Sequence, residues 1–372
     1  MTRRSLFTLI FLIACGRPPV VLGNDPVDPK LPTLRLVLFT PKGVDPPPNA
    51  QERLTQIAKY TEDFYIKWMT HWGYKPTQKH MFQWKPDGHV EVLFFQGDKG
   101  PTEYPDGSFR PAMMQKLAKQ HNIPQNNNIN WVFVYLGDPP ARYDNFKGSG
   151  NSKAGGWAMA NFDSSPGEIR TDRGIAEGFH DDFALKGCIH ELGHGLGLPH
   201  IGPRLKRDLG NSLMGPINRI WRQYLGPKDQ RGYLTEASAA MLYKHPLFSG
   251  TSKDRDVMPD VSLKSFQAQY DRTKKVATIH GQLVSQHKAH SVIIVDDMDN
   301  KPGDYWVRAY VGRVNEKGEF DVVLDELVDC GGTLRILFCF ENGTTTGNGK
   351  THGLQSAIEK PYRYTRKSHQ FD

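Results

Sequence analysis

Three histidines and one glutamate stand close together in the segment HELGHGLGLPH, which spans residues 190–200. Side chains four residues apart on an α-helix lie on the same face, so His190 and His194 can direct their imidazoles at one ion. With His200 as third ligand, a tetrahedral zinc ion keeps one position open, which distinguishes a catalytic zinc site from a closed structural one. Glu191 lies beside these ligands and can act on a water molecule there. The spacing therefore predicts one catalytic Zn²⁺ and a hydrolytic reaction.

The third histidine requires a turn after the helix that carries the first two. Gly195 and Gly197 permit the left-handed backbone that ends a helix, and Pro199 follows in the turn. We expect this turn to bring His200 back beneath the metal.

The helix that carries the ligands has one apolar face. Asp181 or Asp182 is the predicted N-cap, and Cys188 is predicted to be a small buried hydrophobe. Four apolar residues recur at helical spacing on the side away from the histidines: Leu185, Ile189, Leu192 and Leu196. One face of the helix should therefore pack in the core while the other presents the ligands to a cleft.

The histidine segment resembles the zinc signature of the metzincins, HExxHxxGxxH, and matches it at every specified position. Metzincins also carry a methionine turn beneath the metal, and Met214, fourteen residues after His200, is its counterpart here. Several members place a tyrosine two residues after the methionine, where this chain has Pro216. Tyr224 is the predicted substitute for that tyrosine in stabilising the transition state.

The resemblance implies a zinc-dependent endopeptidase with a protein or peptide substrate. Glu191 would take a proton from the attacking water and pass it to the leaving amine. The substrate would lie extended along an edge strand, for which Gly156–Ala160 is the candidate because it precedes the active-site helix. Two alternatives stay open: a cell-surface binding protein with a vestigial metalloprotease domain, and a zinc amidase that acts on envelope polymers.

The elements that must position this site follow from the hydrophobic pattern of residues 31–248. Predicted strands lie at Leu34–Phe39, Val90–Phe95, Asn130–Leu136 and Gly155–Ala160. Predicted helices lie at Ala50–His71, Ser108–His121 and Leu234–Tyr243. This alternation indicates an α/β (α+β) domain with a twisted sheet packed against helices. The order of elements over residues 30–248 is similar to that of a metzincin catalytic domain.

The composition changes beyond residue 248, where polar and turn-forming residues occupy Ser249–Asp256. Short alternating runs then follow at Val276–Ile279, Ser291–Val295, Trp306–Val311 and Leu334–Phe338. They predict an all-β sandwich of the Ig/fibronectin-like kind over residues 258–345. Residues 346–372 contain many basic side chains and are predicted to form a solvated C-terminal tail.

Residues 1–23 have the features of an export signal, because a basic start precedes an apolar run at Leu6–Ala14 that is too short to span a bilayer. Three routes of processing are open: a lipobox that ends at Cys15, ordinary cleavage after Val21–Gly23, and a twin-arginine signal. Residues 24–30 would form a short leader. We expect an exported bacterial protein, either secreted or attached to the cell envelope through a lipidated Cys15.

Three further features bear on partners and ions. The net charge is +7 and the pI is near 9.0, but no nucleic-acid motif accompanies them, so no nucleic-acid partner is predicted. Cys330 and Cys339 could form a disulfide or occupy the two ends of one strand. Asp163, Asp172 and Asp181 lie in predicted loops or at a helix start, where a structural Ca²⁺ could bind.

Overall fold

The computed structural model describes residues 33–104, 110–122, 128–137, 145–151, 155–251, 254–365 and 370–371. The predicted export signal, Cys15 and the leader at 24–30 lie outside these residues. No helix within the described ranges is long and apolar enough to cross a membrane.

The first unit of the chain is a five-stranded sheet with helices on both faces. Its strands are β1 (Thr33–Thr40), β2 (Val92–Gln96), β3 (Asn128–Val134), β4 (Lys147–Asn151) and β5 (Gly155–Asn161), followed by the short pair β6 (Asn211–Ser212) and β7 (Gly232–Tyr233). Its helices are α1 (Ala50–His71), α2 (Arg110–Gln120), α3 (Phe179–Asp182), α4 (Leu185–Gly195), α5 (Asn218–Tyr224), α6 (Glu236–Leu242) and α7 (Pro246–Ser249). The strand order is β2-β1-β3-β5-β4. The first four of these strands are parallel to one another, and β4 is antiparallel to β5.

Alternate residues of each strand point to opposite sides of this sheet, and helices cover both sides. On one face, Leu36 and Trp131 pack with residues of α1 and α4. On the other face, Val37 and Val132 pack with residues of α2. Every residue of β3 is buried, which explains why this strand reads as an apolar run rather than an alternation.

The edge of the sheet differs from the prediction. Gly156–Ala160 lies in β5, which pairs with β3 on one side and with β4 on the other. The prediction that this segment forms the edge is therefore wrong, and β4 is the edge strand. The sequence of β4, KGSGN, contains no apolar alternation, so the hydrophobic pattern does not mark it as a strand.

The second unit consists of two antiparallel sheets. Its strands are β8 (Ser262–Asp271), β9 (Val276–Val284), β10 (Ala289–Met298), β11 (Arg308–Arg313), β12 (Glu319–Leu324), β13 (Cys330–Phe340), β14 (Thr345–Thr346), β15 (Ile358–Thr365) and β16 (Gln370–Phe371). One sheet has the order β12-β9-β8, and the other has the order β11-β10-β13-β15-β16 with β14 beside β13. Ile279 and Phe320 of the smaller sheet share a core with Val292 and Phe338 of the larger one, so the sheets pack face to face.

The larger sheet of the second unit is buried on its other face as well. Ile293 and Val295 of β10, with Leu337 and Cys339 of β13, belong to the same core cluster as the helices of the first unit. Their neighbours in the two strands point to the smaller sheet instead. The two units therefore share one continuous core.

The C-terminal residues differ from the predicted tail. Residues 358–365 form β15, which pairs with β13 and so extends the larger sheet beyond the predicted boundary at 345. Cys330 and Cys339 lie near the two ends of β13, and both are free. Nine residues of extended strand separate their α-carbons by roughly 30 Å, which no disulfide can bridge.

Candidate metal centre

The first two histidines lie on α4, and the four predicted core residues, three on α4 and Leu196 directly after it, are all buried. The prediction of an aspartate N-cap is wrong, because α4 begins after Ala184, whose backbone is left-handed with φ at 59°. Asp181 instead accepts hydrogen bonds from Arg222 Nη1 at 2.6 Å and from Asn218 Nδ2 at 2.9 Å. Its carboxylate therefore ties the segment before α4 to α5.

A backbone carbonyl orients each of these two histidines. His190 Nδ1 lies 2.8 Å from Leu213 O, and His194 Nδ1 lies 2.8 Å from Leu198 O. A carbonyl oxygen can only accept a hydrogen bond, so Nδ1 carries the proton in both rings. Each Nε2 is left with a lone pair, which is the arrangement that a metal ligand requires.

The turn after α4 brings the third histidine to the other two. Gly197 takes the predicted left-handed conformation, with φ at 88°. His200 Nε2 lies 3.0 Å from His194 Nε2, and one ring nitrogen from each of His190, His194 and His200 lies within 4.8 Å of the others. Within the described ranges, these histidines are the sole group of three or more His, Cys, Asp or Glu side chains that could hold a metal ion.

Burial favours the neutral form of all three rings. Burial, followed by the charge of Lys186, lowers the pKa of His190 well below its usual value. Burial also lowers the pKa of His194. The pKa of His200 is lowered to about 4, first by burial and then by the nearby His194. Neutral imidazole is the form that binds zinc and similar divalent ions. The three nitrogens therefore fit such an ion in both geometry and protonation.

Glu191 lies half-buried beside the histidines. Burial raises the pKa of its carboxyl group to about 7, against an opposing effect of Lys186. Lys186 is itself buried, and its Nζ donates to Gly215 O at 3.3 Å and to Pro216 O at 3.0 Å. A carboxyl group with a pKa near neutrality can accept a proton and release it again under the same conditions, as a general base that later acts as an acid must do.

Met214 lies fully buried beneath α4. Its sulfur is so close to Gly193 that a β-carbon on that glycine would collide with it. Ile201 N donates to Met214 O at 3.2 Å, and the preceding carbonyl of Leu213 is the one that orients His190. The methionine and its neighbours thus join the helix to the turn that carries the third histidine.

A tyrosine from the second unit packs against two of the three histidines, His190 and His200. Tyr305 lies in the turn Asp304–Trp306, with its ring centroid 3.9 Å from that of His200 and 5.9 Å from that of His190. Tyr224, the predicted transition-state stabiliser, lies on α5 with 67% of its surface exposed, and the ring contacts to the histidines come from Tyr305. Sequence reasoning missed Tyr305 because it lies about a hundred residues beyond His200 and no local pattern connects the two.

The edge strand β4 and the second unit form a cleft that His194 also lines. Its volume is about 220 Å³, and its walls include residues 148–150 on one side and Thr345 and Gln355 on the other. β-Carbons on the two glycines of that segment would collide with the carbonyl oxygens of Glu191 and Gly195. Glycine therefore lets the edge strand lie directly against the metal-binding helix.

The three aspartates considered for calcium are engaged elsewhere. Asp163 accepts a hydrogen bond from Ser165 N at 2.8 Å, Asp172 pairs with Arg170 at 2.6 Å, and Asp181 pairs with Arg222. The structure does not bring them together.

By its fold and site, the chain is a mixed α/β protein with several sheets and a three-histidine centre suited to a divalent metal. No family model matches the sequence, and no curated protein matches it. Among solved structures, wild-type OgpA from Akkermansia muciniphila is similar in two crystal forms, with a TM-score of 0.67 and 19% identity over 95% of this chain and 98% or 99% of OgpA. Catalytically inactive OgpA in complex with an O-glycopeptide (glycodrosocin) substrate is similar with a TM-score of 0.66 and 18% identity, over 95% of this chain and 99% of that one. The likeness spans both units and shows a shared fold.

Proposed function

We propose that this chain is an exported, zinc-dependent endopeptidase that cuts O-glycosylated peptides. The observation that carries the proposal is the convergence of His190, His194 and His200 beside Glu191. The glycopeptide part rests on the shared fold with OgpA, which has been solved with an O-glycopeptide substrate. Export rests on the signal-like pattern of residues 1–23, with secretion and attachment through Cys15 both open.

The residues of the chain divide the reaction between them. The three histidines would hold the ion through their Nε2 atoms, and a divalent metal bound there supplies a Lewis acid that polarises the scissile carbonyl and acidifies water. Glu191 accepts a proton from the attacking water and returns it to the leaving amine. The edge of β4 offers backbone N–H and C=O groups to an extended peptide in the cleft.

Two observations favour this proposal over the alternatives of a binding protein and an envelope amidase. Glu191 is retained, half-buried and beside the ligands, whereas a vestigial site has no need of a proton carrier there. The cleft beside the histidines is bounded by a sheet edge, which suits an extended peptide better than a polymer without a peptide backbone.

The test compares a glycopeptide with its unglycosylated twin, with and without a chelator, using the purified chain. We expect cleavage of the glycopeptide that the chelator abolishes and zinc restores. Glu191→Gln should lower kcat by at least about a thousandfold while the bound zinc, measured by elemental analysis, stays near one ion per chain. His200→Ala should lose the zinc. Glu316→Gln is the matched control, because the Glu316 side chain lies in the second unit and is 81% exposed.

Each result has a distinct meaning. Equal cutting of both peptides would retain the peptidase and remove the glycopeptide preference. Stoichiometric zinc without cleavage of any peptide would refute the endopeptidase and favour the binding protein or the amidase.

A further inference from the structure

An apolar groove runs between α5 and the turn that precedes β11, where the first and second units meet. Its volume is about 720 Å³. Nine large hydrophobic side chains are exposed in the described part of the chain, and five of them line this groove: Leu205, Ile217, Tyr224, Leu225 and Tyr305. So dense a cluster of exposed apolar side chains in one place indicates a binding site.

The groove is continuous with the metal centre through one side chain. Tyr305 lines the groove, and the same ring lies 3.9 Å from the ring of His200. A peptide whose cleaved bond lies at the histidines therefore needs only a few further residues to reach the groove, since an extended chain advances about 3.3 Å per residue.

The walls of the groove are fixed before any ligand arrives. Trp306 stacks on the buried Trp221 of α5 with ring centroids 6.5 Å apart. Gly202, two residues after His200, donates through its N–H to Val307 O at 2.6 Å, and a β-carbon on it would lie 2.8 Å from Trp306 Cα. The turn that carries the aromatic residues is thus bonded to the loop that carries the third metal ligand.

The chemistry of the lining selects the occupant. Three aromatic side chains, Tyr224, Tyr305 and Trp306, stand among three prolines, and the one charged residue of the lining, Arg308, is paired with Glu326. Aromatic grooves of this kind bind proline-rich segments, whose polyproline II conformation is already formed and loses little entropy on binding. Stretches rich in Ser and Thr that carry O-glycans are commonly rich in proline as well.

We propose that this groove binds a proline-rich stretch of the same peptide that is cut at the metal centre. The inference rests on the proposed function and adds a second requirement to it, namely proline residues at a distance from the cleaved bond. It also gives the second unit a role in choosing substrates, because Tyr305 and Trp306 belong to that unit.

The experiment uses three glycopeptides that are identical around the cleaved bond and continue into a stretch of prolines, alanines or leucines. For the wild type we expect kcat/KM to be about tenfold higher for the proline peptide than for the alanine peptide, mainly through KM. Ile217→Ser and Leu225→Ser should bring this ratio close to one. Val323→Ser, a matched change of an exposed apolar residue on β12, should leave the ratio unchanged.

A binding measurement separates this inference from the proposed function. The Kd values of the proline and alanine peptides for Glu191→Gln, measured by isothermal titration calorimetry, should differ by the same factor of about ten even if no peptide is ever cut. Equal Kd values, or a preference for leucine over proline, would overturn the inference. Light scattering provides a further check. If the wild type is a dimer, and a groove variant is a monomer with an unchanged ratio of kcat/KM for the two peptides, the groove joins two copies of the chain and the inference is overturned.

Discussion

A buried charged cluster holds the loop of the third metal ligand against the second unit, and its removal should be costly. Arg204, four residues after His200, is 8% exposed, and its Nε donates to Glu326 Oε1 at 2.9 Å while a second nitrogen pairs with Asp325. Its guanidinium carbon lies 4.1 Å from the centre of the Tyr310 ring. Glu326, 7% exposed, also accepts hydrogen bonds from the backbone of the loop.

The magnitude follows from what each substitution leaves behind. Arg204→Met leaves the buried carboxylate of Glu326 without its principal cation, which should lower the free energy of unfolding by about 3–5 kcal/mol. Adding Glu326→Gln removes that isolated charge while an amide oxygen still accepts from the loop backbone. The double variant should therefore be about 2 kcal/mol more stable than Arg204→Met alone.

Urea unfolding at pH 7, followed by tryptophan fluorescence, measures these differences for the wild type, both single variants and the double variant. Arg363→Met is the matched control, because Arg363 is exposed on β15 and its loss should cost less than about 0.5 kcal/mol. A cost below about 1 kcal/mol for Arg204→Met, or additive effects of the two substitutions, would show that Glu326 is not left as an isolated buried charge.

Three further predictions concern other parts of the chain. A β-carbon on Gly156 would collide with Gly195 O, so Gly156→Ala should cost at least about 3 kcal/mol in urea unfolding. A β-carbon on Gly100 would meet only a side-chain oxygen of Glu103 at 4.0 Å, so Gly100→Ala should cost less than about 1 kcal/mol. Burial raises the pKa of Asp296 from 3.8 to about 6, so its contribution to stability is lost as the pH rises through 6. From pH 5 to pH 8, the free energy of unfolding of Asp296→Asn should therefore rise by about 1.4 kcal/mol relative to that of the wild type. A difference between the two proteins that does not change with pH would contradict this prediction. Because the cysteines of β13 are free, a reductant should leave the melting temperature unchanged, and a fall of several degrees would point to a disulfide.

The local elements of the first unit follow from the sequence because their signals are local. The helix α1 has the predicted bounds Ala50–His71, since its apolar periodicity and flanking prolines mark both ends. The histidines are brought together as their spacing indicates, because helix geometry and one left-handed glycine decide their positions. The predicted aspartate cap is wrong because α4 begins only after Ala184, and Asp181 is engaged by Arg222 of α5 instead.

Features that depend on distant pairing were not predictable in the same way. The edge strand β4 carries no apolar pattern, because its glycines serve the close approach to α4 rather than a core. Tyr305 lies at the metal centre, where the loop after His200 is hydrogen-bonded to Val307, two residues after Tyr305 in the chain. The residues of β15 read as a basic tail because one side of a peripheral strand is open to solvent, which favours charged side chains there.

The core shared between the two units has a consequence for how this protein can be divided. A fragment that ends near Gly250 would expose the apolar surface that Ile293, Val295 and Leu337 now cover, and the remaining fragment would expose those residues in turn. Neither piece has the closed surface of an independent module. The likeness to OgpA over 95% of this chain fits this view, because both units align together. Any transfer or engineering of the metal centre therefore has to keep the first and second units together.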